Sequence, residues 1–324
     1  MPAAHEARRP DVSFIVAAYN VAPFIETAVR SALLQKDVSV EVIVIDDASD
    51  DGTSDVVASM AADDRRITLV RRETTGGPAV ARNQAFAAAK GAWLAILDGD
   101  DIISPDRSRR LIDLAEAASA DLVADNFERV DIAGRLTGKT MIPAGEQPYS
   151  FLVGVATFIK GNITFDRSRF SLGAIKPMFR AAFIRAHAIE YRPDLPIGED
   201  YHICLTCLRE GARFLVTSHP FYKYRVRGGS QSWRLKEDDV ERMLRAHVES
   251  RIEERFAGDE EVTAAARLYV SALEKARTFV RIVAQAKCGR PAQALYTAAV
   301  SPGVWPFVAR FGAEALAKRV WRPA

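Results

Sequence analysis

The sequence predicts an α/β fold: a mostly parallel sheet with helices on both faces, followed by a helical C-terminal region. Three observations carry this. Short apolar runs alternate with helix-patterned runs through the first half of the 324-residue chain, the rhythm of consecutive β-α units. The runs end in polar or acidic residues, as strands opening onto a crevice do. From Leu235 to Pro291 the pattern is almost wholly helical.

Residues 12–17 (Val-Ser-Phe-Ile-Val-Ala) read as the first strand, and residues 23–35 as a helix whose stripe includes Phe24, Ala28 and Leu33. Residues 41–45 form the second strand and end at Asp46-Asp47. Asp51-Gly52-Thr53 turns the chain, with Thr53 expected to cap the next helix. Residues 67–70 are a third strand, Gly77-Pro78 opens an Ala-rich helix to Lys90, and residues 92–97 are a fourth strand. A helix from Pro105 to about Ala118 leads to a fifth strand at residues 122–124. Beyond Asn126 the pattern loosens: a loop at residues 137–149, helices near 180–187 and 200–209, strands at 214–216 and 222–226. The expected organisation is a leader (1–11), a catalytic domain (12–234, its halves meeting near 125/126) and a helical extension (235–324).

Composition excludes several classes. A net charge of +2 is too small for a nucleic-acid binder. The first residues lack the apolar core of a secretory signal. Three cysteines make no disulfide framework, and Cys204-x-x-Cys207 lies in a helix pattern without further metal ligands, so a structural role and a reducing cytoplasm fit. Residues 291–309 are uncharged, but Pro302 and Pro306 break them as a membrane span.

Asn20, Asp46-Asp47, Gly76-Gly77 and Asp98 to Asp101 all fall just past strand ends, so one crevice can collect them. Asp98, Asp100 and Asp101 repel one another unless a cation intervenes, and carboxylate oxygens suit Mg2+ or Mn2+. Gly99 gives a sharp turn and room for a ligand. The competing reading is a polar turn before a helix. Neither a Gly-x-Gly-x-x-Gly fingerprint nor a P-loop follows the first strand, where Ala17-Ala18-Tyr19-Asn20 stands. Tyr19 can stack on a base, Asp47 can accept from a base N–H or a ribose hydroxyl, and Arg82 can reach a phosphate. For Arg82 an ordinary surface-helix arginine is the competing reading.

The chain resembles the family 2 glycosyltransferases, inverting enzymes of the GT-A fold, and among them the non-processive enzymes of succinoglycan-type exopolysaccharide synthesis. The resemblance rests on residues 12–16 leading into Tyr19-Asn20, residues 42–47 with Ser49, Gly77-Pro78 with Ala81-Arg82-Asn83, residues 91–101 with Pro105-Asp106-Arg107, and Gly198-Glu199-Asp200. It implies transfer of a hexose, glucose in the first instance, from a UDP-sugar to a saccharide hydroxyl. It implies that Tyr19, Asp47 and the backbone of Ala17 and Ala18 contact uracil, and that Arg82 lies near base and diphosphate. Asp98 and Asp100 become an Asp-x-Asp motif with Asp101 as a metal ligand, the cofactor being Mn2+ or Mg2+. Asp200 becomes the base that takes the acceptor proton, with Glu199 orienting it; a helix cap is the competing reading for both. Arg227, Ser230 and Ser232 belong to a loop over the diphosphate. Asn162, Lys176, Pro177 and Met178 are candidates for the acceptor side. The acceptor is expected to be a saccharide, polyprenyl-diphosphate-linked in the fullest version. The alternatives are transfer to a polyprenyl phosphate, or an inactive saccharide-binding homologue. Aromatic and basic residues between Val304 and Trp321 suggest a peripheral contact with the cytoplasmic face of the inner membrane, against helix packing or a homodimer contact.

Overall fold

The computed structural model describes residues 9–143, 147–163, 171–227, 235–306 and 309. It divides into two compact units, Met1–Phe158 with Phe170–Gly228 and Ile159–Arg169 with Gly229–Ala324.

The first unit is built on a ten-stranded sheet. Strands β1 (Val12–Ala18), β2 (Val40–Asp46), β3 (Ile67–Arg71) and β4 (Trp93–Ile96) pair in parallel in the order β3-β2-β1-β4. Every β1 side chain but Ala17 is buried, including Ser13. The Ser13 hydroxyl donates to Glu41 (2.5 Å) and accepts from the Gly91 N–H (2.7 Å). A Cβ on Gly91 would stand 2.5 Å from the Ser13 backbone nitrogen, so only glycine admits this approach before β4. Helices α1 (Ala22–Leu33) and α2 (Thr53–Asp63) pack on one another, and α3 (Gly77–Ala88) lies on β1 and β2. Thr53 is the first residue of α2 rather than its cap: its hydroxyl donates to Asp51 and accepts from the Val21 N–H.

Beyond β4 the sheet becomes mixed. The two-residue β5 (Ile102–Ile103) precedes α4 (Arg107–Ala117) and β6 (Leu122–Val130). β6 runs six residues past the expected strand end at 124. Asp125 and Asn126 look wrong for a strand core, yet both are buried and bonded. Arg107 of α4 grips Asp125 through Nε and Nη2, and Asn126 bonds the backbone of Ile142 and Ser218. β7 (Leu136–Thr140) overlaps the start of the expected loop and β8 (Ser150–Val153) follows. After α5 (Val155–Gly161), β9 (Met178–Arg180) slots antiparallel between β4 and β6. Then come α6 (Ala181–Ala186), α7 (Glu199–Arg209) and β10 (Phe214–Arg225). The two strands expected at 214–216 and 222–226 are this one strand, parallel to β6 and bulged between Thr217 and Tyr222.

The second unit contains α8 (Glu237–Glu249), α9 (Ile252–Arg255), α10 (Glu260–Lys287) and α11 (Pro291–Ala299). Asp259 caps α10 by accepting from the Val262 N–H at 3.0 Å. Ile282, Ala294, Ala298 and Val304 form a small buried cluster between α10, α11 and the following turn. No helix among the described residues is long and apolar enough to cross a membrane.

Candidate active site

The C-terminal ends of β1, β2 and β4 deliver the polar residues that the sequence placed there. Tyr19 follows β1 and is 48% exposed, its ring open for stacking. Asn20 adopts φ 51°, its N–H donating to Ser49 and its side-chain oxygen accepting from the Asp50 N–H. Asp47 is buried and engaged. It accepts from the N–H groups of Gly76 and Gly77, where α3 begins, and pairs with Arg72 at 2.9 Å. Asp47 thus ties β2 to α3, and Arg72 is a cation there that the sequence reading left out.

The centre of the site is a network of opposite charges. Arg82 is buried, 4% exposed, and not the surface arginine of the competing reading. One guanidinium nitrogen donates to Glu199 (2.8 Å) and Asp200 (2.9 Å), the other to Asp98 (3.0 Å). Lys176, just before β9, reaches the same two aspartates: Asp98 at 2.9 Å and Asp200 at 2.8 Å. Asp98 and Asp200 are therefore each held by both cations. Burial alone would raise the Asp98 carboxyl, but Lys176 and Arg82 outweigh it and hold it at about 2. Burial would also lower Lys176, and Asp200 and Asp98 reverse that and raise it.

Two supports position the cations. Arg82 lies over the buried Tyr191 ring, 5.2 Å from its centre. Asn83 clamps Tyr191 by two backbone hydrogen bonds, each 2.8 Å. Arg107, wholly buried with Asp125, donates to the Lys176 carbonyl at 2.6 Å. These supports join residues far apart in the chain; Asn83 and Arg107 had a sequence signal, in the Ala81-Arg82-Asn83 and Pro105-Asp106-Arg107 runs, whereas Tyr191 and Asp125 had none.

Glu199 and Asp200 open α7 after Gly198, whose φ of 89° only glycine adopts freely. No side chain caps this helix by a hydrogen bond; both carboxylates stand in its first turn and pair with Arg82. Burial and the neighbouring Asp200 raise the Glu199 carboxyl against the pull of Arg82 and Lys176.

The acidic run after β4 divides. Asp101 is 1% exposed and turned inward, accepting from the Tyr222 hydroxyl (2.8 Å) and the Arg225 N–H (2.7 Å) of β10. Burial, then Asp98 and Asp100, push it well above the carboxylate range. It anchors β10, and both of its oxygens, expected to meet a metal, are engaged by that strand. Asp100 bonds Arg227 at 2.5 Å, and burial with the nearby Asp98 charge raises it. Gly99 sits where a Cβ would meet the Ile25 and Val21 side chains at 3.0 Å and 3.1 Å, so close packing beneath α1 also favours a small residue there.

Asp98 and Asp100 keep an exposed edge and offer the oxygen donors that a hard divalent cation takes. These two residues fit such a cation, with Lys176 and Arg227 now on their oxygens. Among the described residues no three acidic, histidine or cysteine side chains are gathered as a ligand set. Met178 is fully buried in the sheet, which removes it from the acceptor side, and Asn162 belongs to the second unit. Ser230 and Ser232 lie outside the described residues, as does most of the 304–321 segment. Cys204 and Cys207 are buried in α7, and burial pushes both thiols up.

Comparison with known proteins agrees with this geometry. The chain is 37% identical over 293 residues to succinoglycan biosynthesis protein ExoO of Rhizobium meliloti (strain 1021), covering 90% of this chain and 82% of that one. It is 36% identical over 239 residues to ExoU of the same organism, covering 73% and 68%. Among solved structures it shares the fold of S. aureus TarS 1-349 in complex with UDP, with TM-score 0.62 and 19% identity over 93% of this chain and 92% of that one. It also shares the fold of the mannosyltransferase PcManGT from Pyrobaculum calidifontis in complex with GDP-Man and Mn2+, with TM-score 0.56 and 20% identity over 97% and 84%. The family described as Glycosyl transferase family 2 matches residues 13–185, and this chain, with its GT-A fold, belongs to it and is a glycosyltransferase.

Proposed function

We propose that the enzyme transfers a hexose from a UDP-sugar, with inversion, to a hydroxyl of a saccharide acceptor in the assembly of a bacterial exopolysaccharide. The observation that carries this is Asp200, a partly exposed carboxylate fixed beside Asp98 by Arg82 and Lys176. In one displacement the acceptor oxygen bonds the anomeric carbon as its proton passes to Asp200. The bond from that carbon to the phosphate oxygen breaks, its electron pair leaving with UDP. Transfer to a phosphate would need no base, so the held carboxylate favours a hydroxyl acceptor. Tyr19 stacks on the base, while Arg82 and Lys176 supply positive charge where the diphosphate must lie. Asp98 and Asp100 would hold Mn2+ or Mg2+, whose chemistry is to neutralise the diphosphate as it departs. TarS crystallised with UDP and with UDP-GlcNAc supports the uridine donor, and PcManGT crystallised with Mn2+ supports the metal. The names of ExoO and ExoU support a polysaccharide product, whose growing chain we take to be lipid-linked at the cytoplasmic face of the membrane.

Calorimetric titration of UDP, with manganese and then with chelator, tests this reading first. Binding should require manganese and weaken in Asp100→Ala. Asp200→Asn should keep UDP binding and lose at least about a hundredfold in turnover. Normal turnover by Asp200→Asn would remove the base assignment, and absence of UDP binding in both conditions would remove the donor.

A further inference from the structure

We propose that the outward face of α11 is a docking surface for an anionic lipid bilayer. The helix is inverted relative to an ordinary packed helix. It buries the small Ala294 and Ala298 and leaves Leu295 69%, Tyr296 70% and Val300 59% exposed. At about 100° per residue the exposed arc centres about 150° from the buried pair, so the large apolar side chains share one face turned from the helix's own core. Trp305, in the same uncharged stretch, is 47% exposed. Water gains nothing from such an arrangement, and a partner that accepts apolar side chains does.

Charge identifies the partner. From Lys275 to Ala313 the sequence contains no aspartate or glutamate, while it carries Lys275, Arg277, Arg281, Lys287, Arg290 and Arg310. Arg281 is engaged by Glu237 of α8, whereas Lys287 and Arg290, at the entrance to α11, are exposed. Apolar and aromatic side chains beside Lys287 and Arg290, in a stretch that carries no acid of its own, suit the headgroup region of an acidic membrane. A protein partner would need acidic groups supplied against those cations, and a second copy of this stretch would bring only more positive charge. The surface lies mostly ahead of the segment at 304–321 that the sequence reading weighed for such a contact. It is independent of which sugar the enzyme transfers.

The test is flotation of the full chain with phosphatidylcholine vesicles, with and without phosphatidylglycerol, in the absence of nucleotide and sugar. The protein should float with the acidic vesicles, release on added salt, and shift its tryptophan emission to the blue. The Leu295→Ser/Tyr296→Ser variant should bind at least about tenfold more weakly, and Lys287→Glu/Arg290→Glu by about tenfold or more. Trp305→Phe keeps the apolar contact, so it should float as wild type with a diminished blue shift. Melting curves should be unchanged because these side chains are exposed. Failure of the wild-type chain to float, or flotation of both double variants as wild type, would overturn the proposal. So would a concentration-dependent dimer that the Leu295→Ser/Tyr296→Ser variant abolishes, since a second copy would then be the occupant. Because no donor is present, these results stand apart from UDP binding.

Discussion

Arg82 is nearly enclosed, yet its cost of burial is met by three carboxylates rather than by water. Replacing it with methionine keeps the bulk against Tyr191 and leaves Asp98, Glu199 and Asp200 with Lys176 alone. Urea denaturation should then show a loss of about 3 kcal/mol, and turnover should fall with it. A phase signal for Arg82 existed in the sequence: it lies three residues after Ala79 and three before Ala85, on the buried stripe of its helix. That periodicity marks Arg82 as inward but not what it meets, because its partners stand 16 to 118 positions away. Lys176 had no signal beyond its position in a loosely patterned stretch. Asp101 shows the converse. Its neighbours suggested metal chemistry, and only the path of β10 reveals that it serves as an anchor.

At the scale of elements, the start of α7 sets the position of Asp200. Gly198→Ala must hold an alanine in a left-handed backbone at a cost of about 1 kcal/mol. We expect turnover to fall several-fold in this variant while calorimetry finds UDP affinity unchanged. The same helix yields a chemical prediction. Cys204 and Cys207 are buried with raised thiols and Cys288 is exposed, so a thiol reagent should label Cys288 alone in the native protein. Denaturant should release all three cysteines. The parallel half of the sheet was legible because its strands are buried on both faces and so read as continuous apolar runs. β6 and β10 were cut short in the sequence reading because Asp125, Asn126, Ser218 and His219 look like turn residues. The polar atoms of Asp125, Asn126 and Ser218 are satisfied by groups that arrive from elsewhere in the chain.

Across the whole molecule, ligand binding should register as stability. A nucleotide that binds only the folded catalytic unit at one hundred times its dissociation constant adds about 2.7 kcal/mol. For a unit of this size that is a rise in melting temperature of about 5–10 °C. Thermal scans with UDP and manganese should show it, and Asp100→Ala should suppress it. The crevice itself could be foreseen, because strand ends at residues 19–20, 46–47 and 98–101 must converge once the sheet is parallel. The shared grip of Arg82 and Lys176 on Asp98 and Asp200 could not, since it joins four separate parts of the chain. This grip has a genetic consequence. Asp98→Asn would release Lys176 and Arg82 onto Asp200 and so alter the base as well as the donor site; the effects of changes at these four positions therefore cannot add. Evolution can alter them only as a set, and a substitution tolerated in one relative need not be tolerated in another.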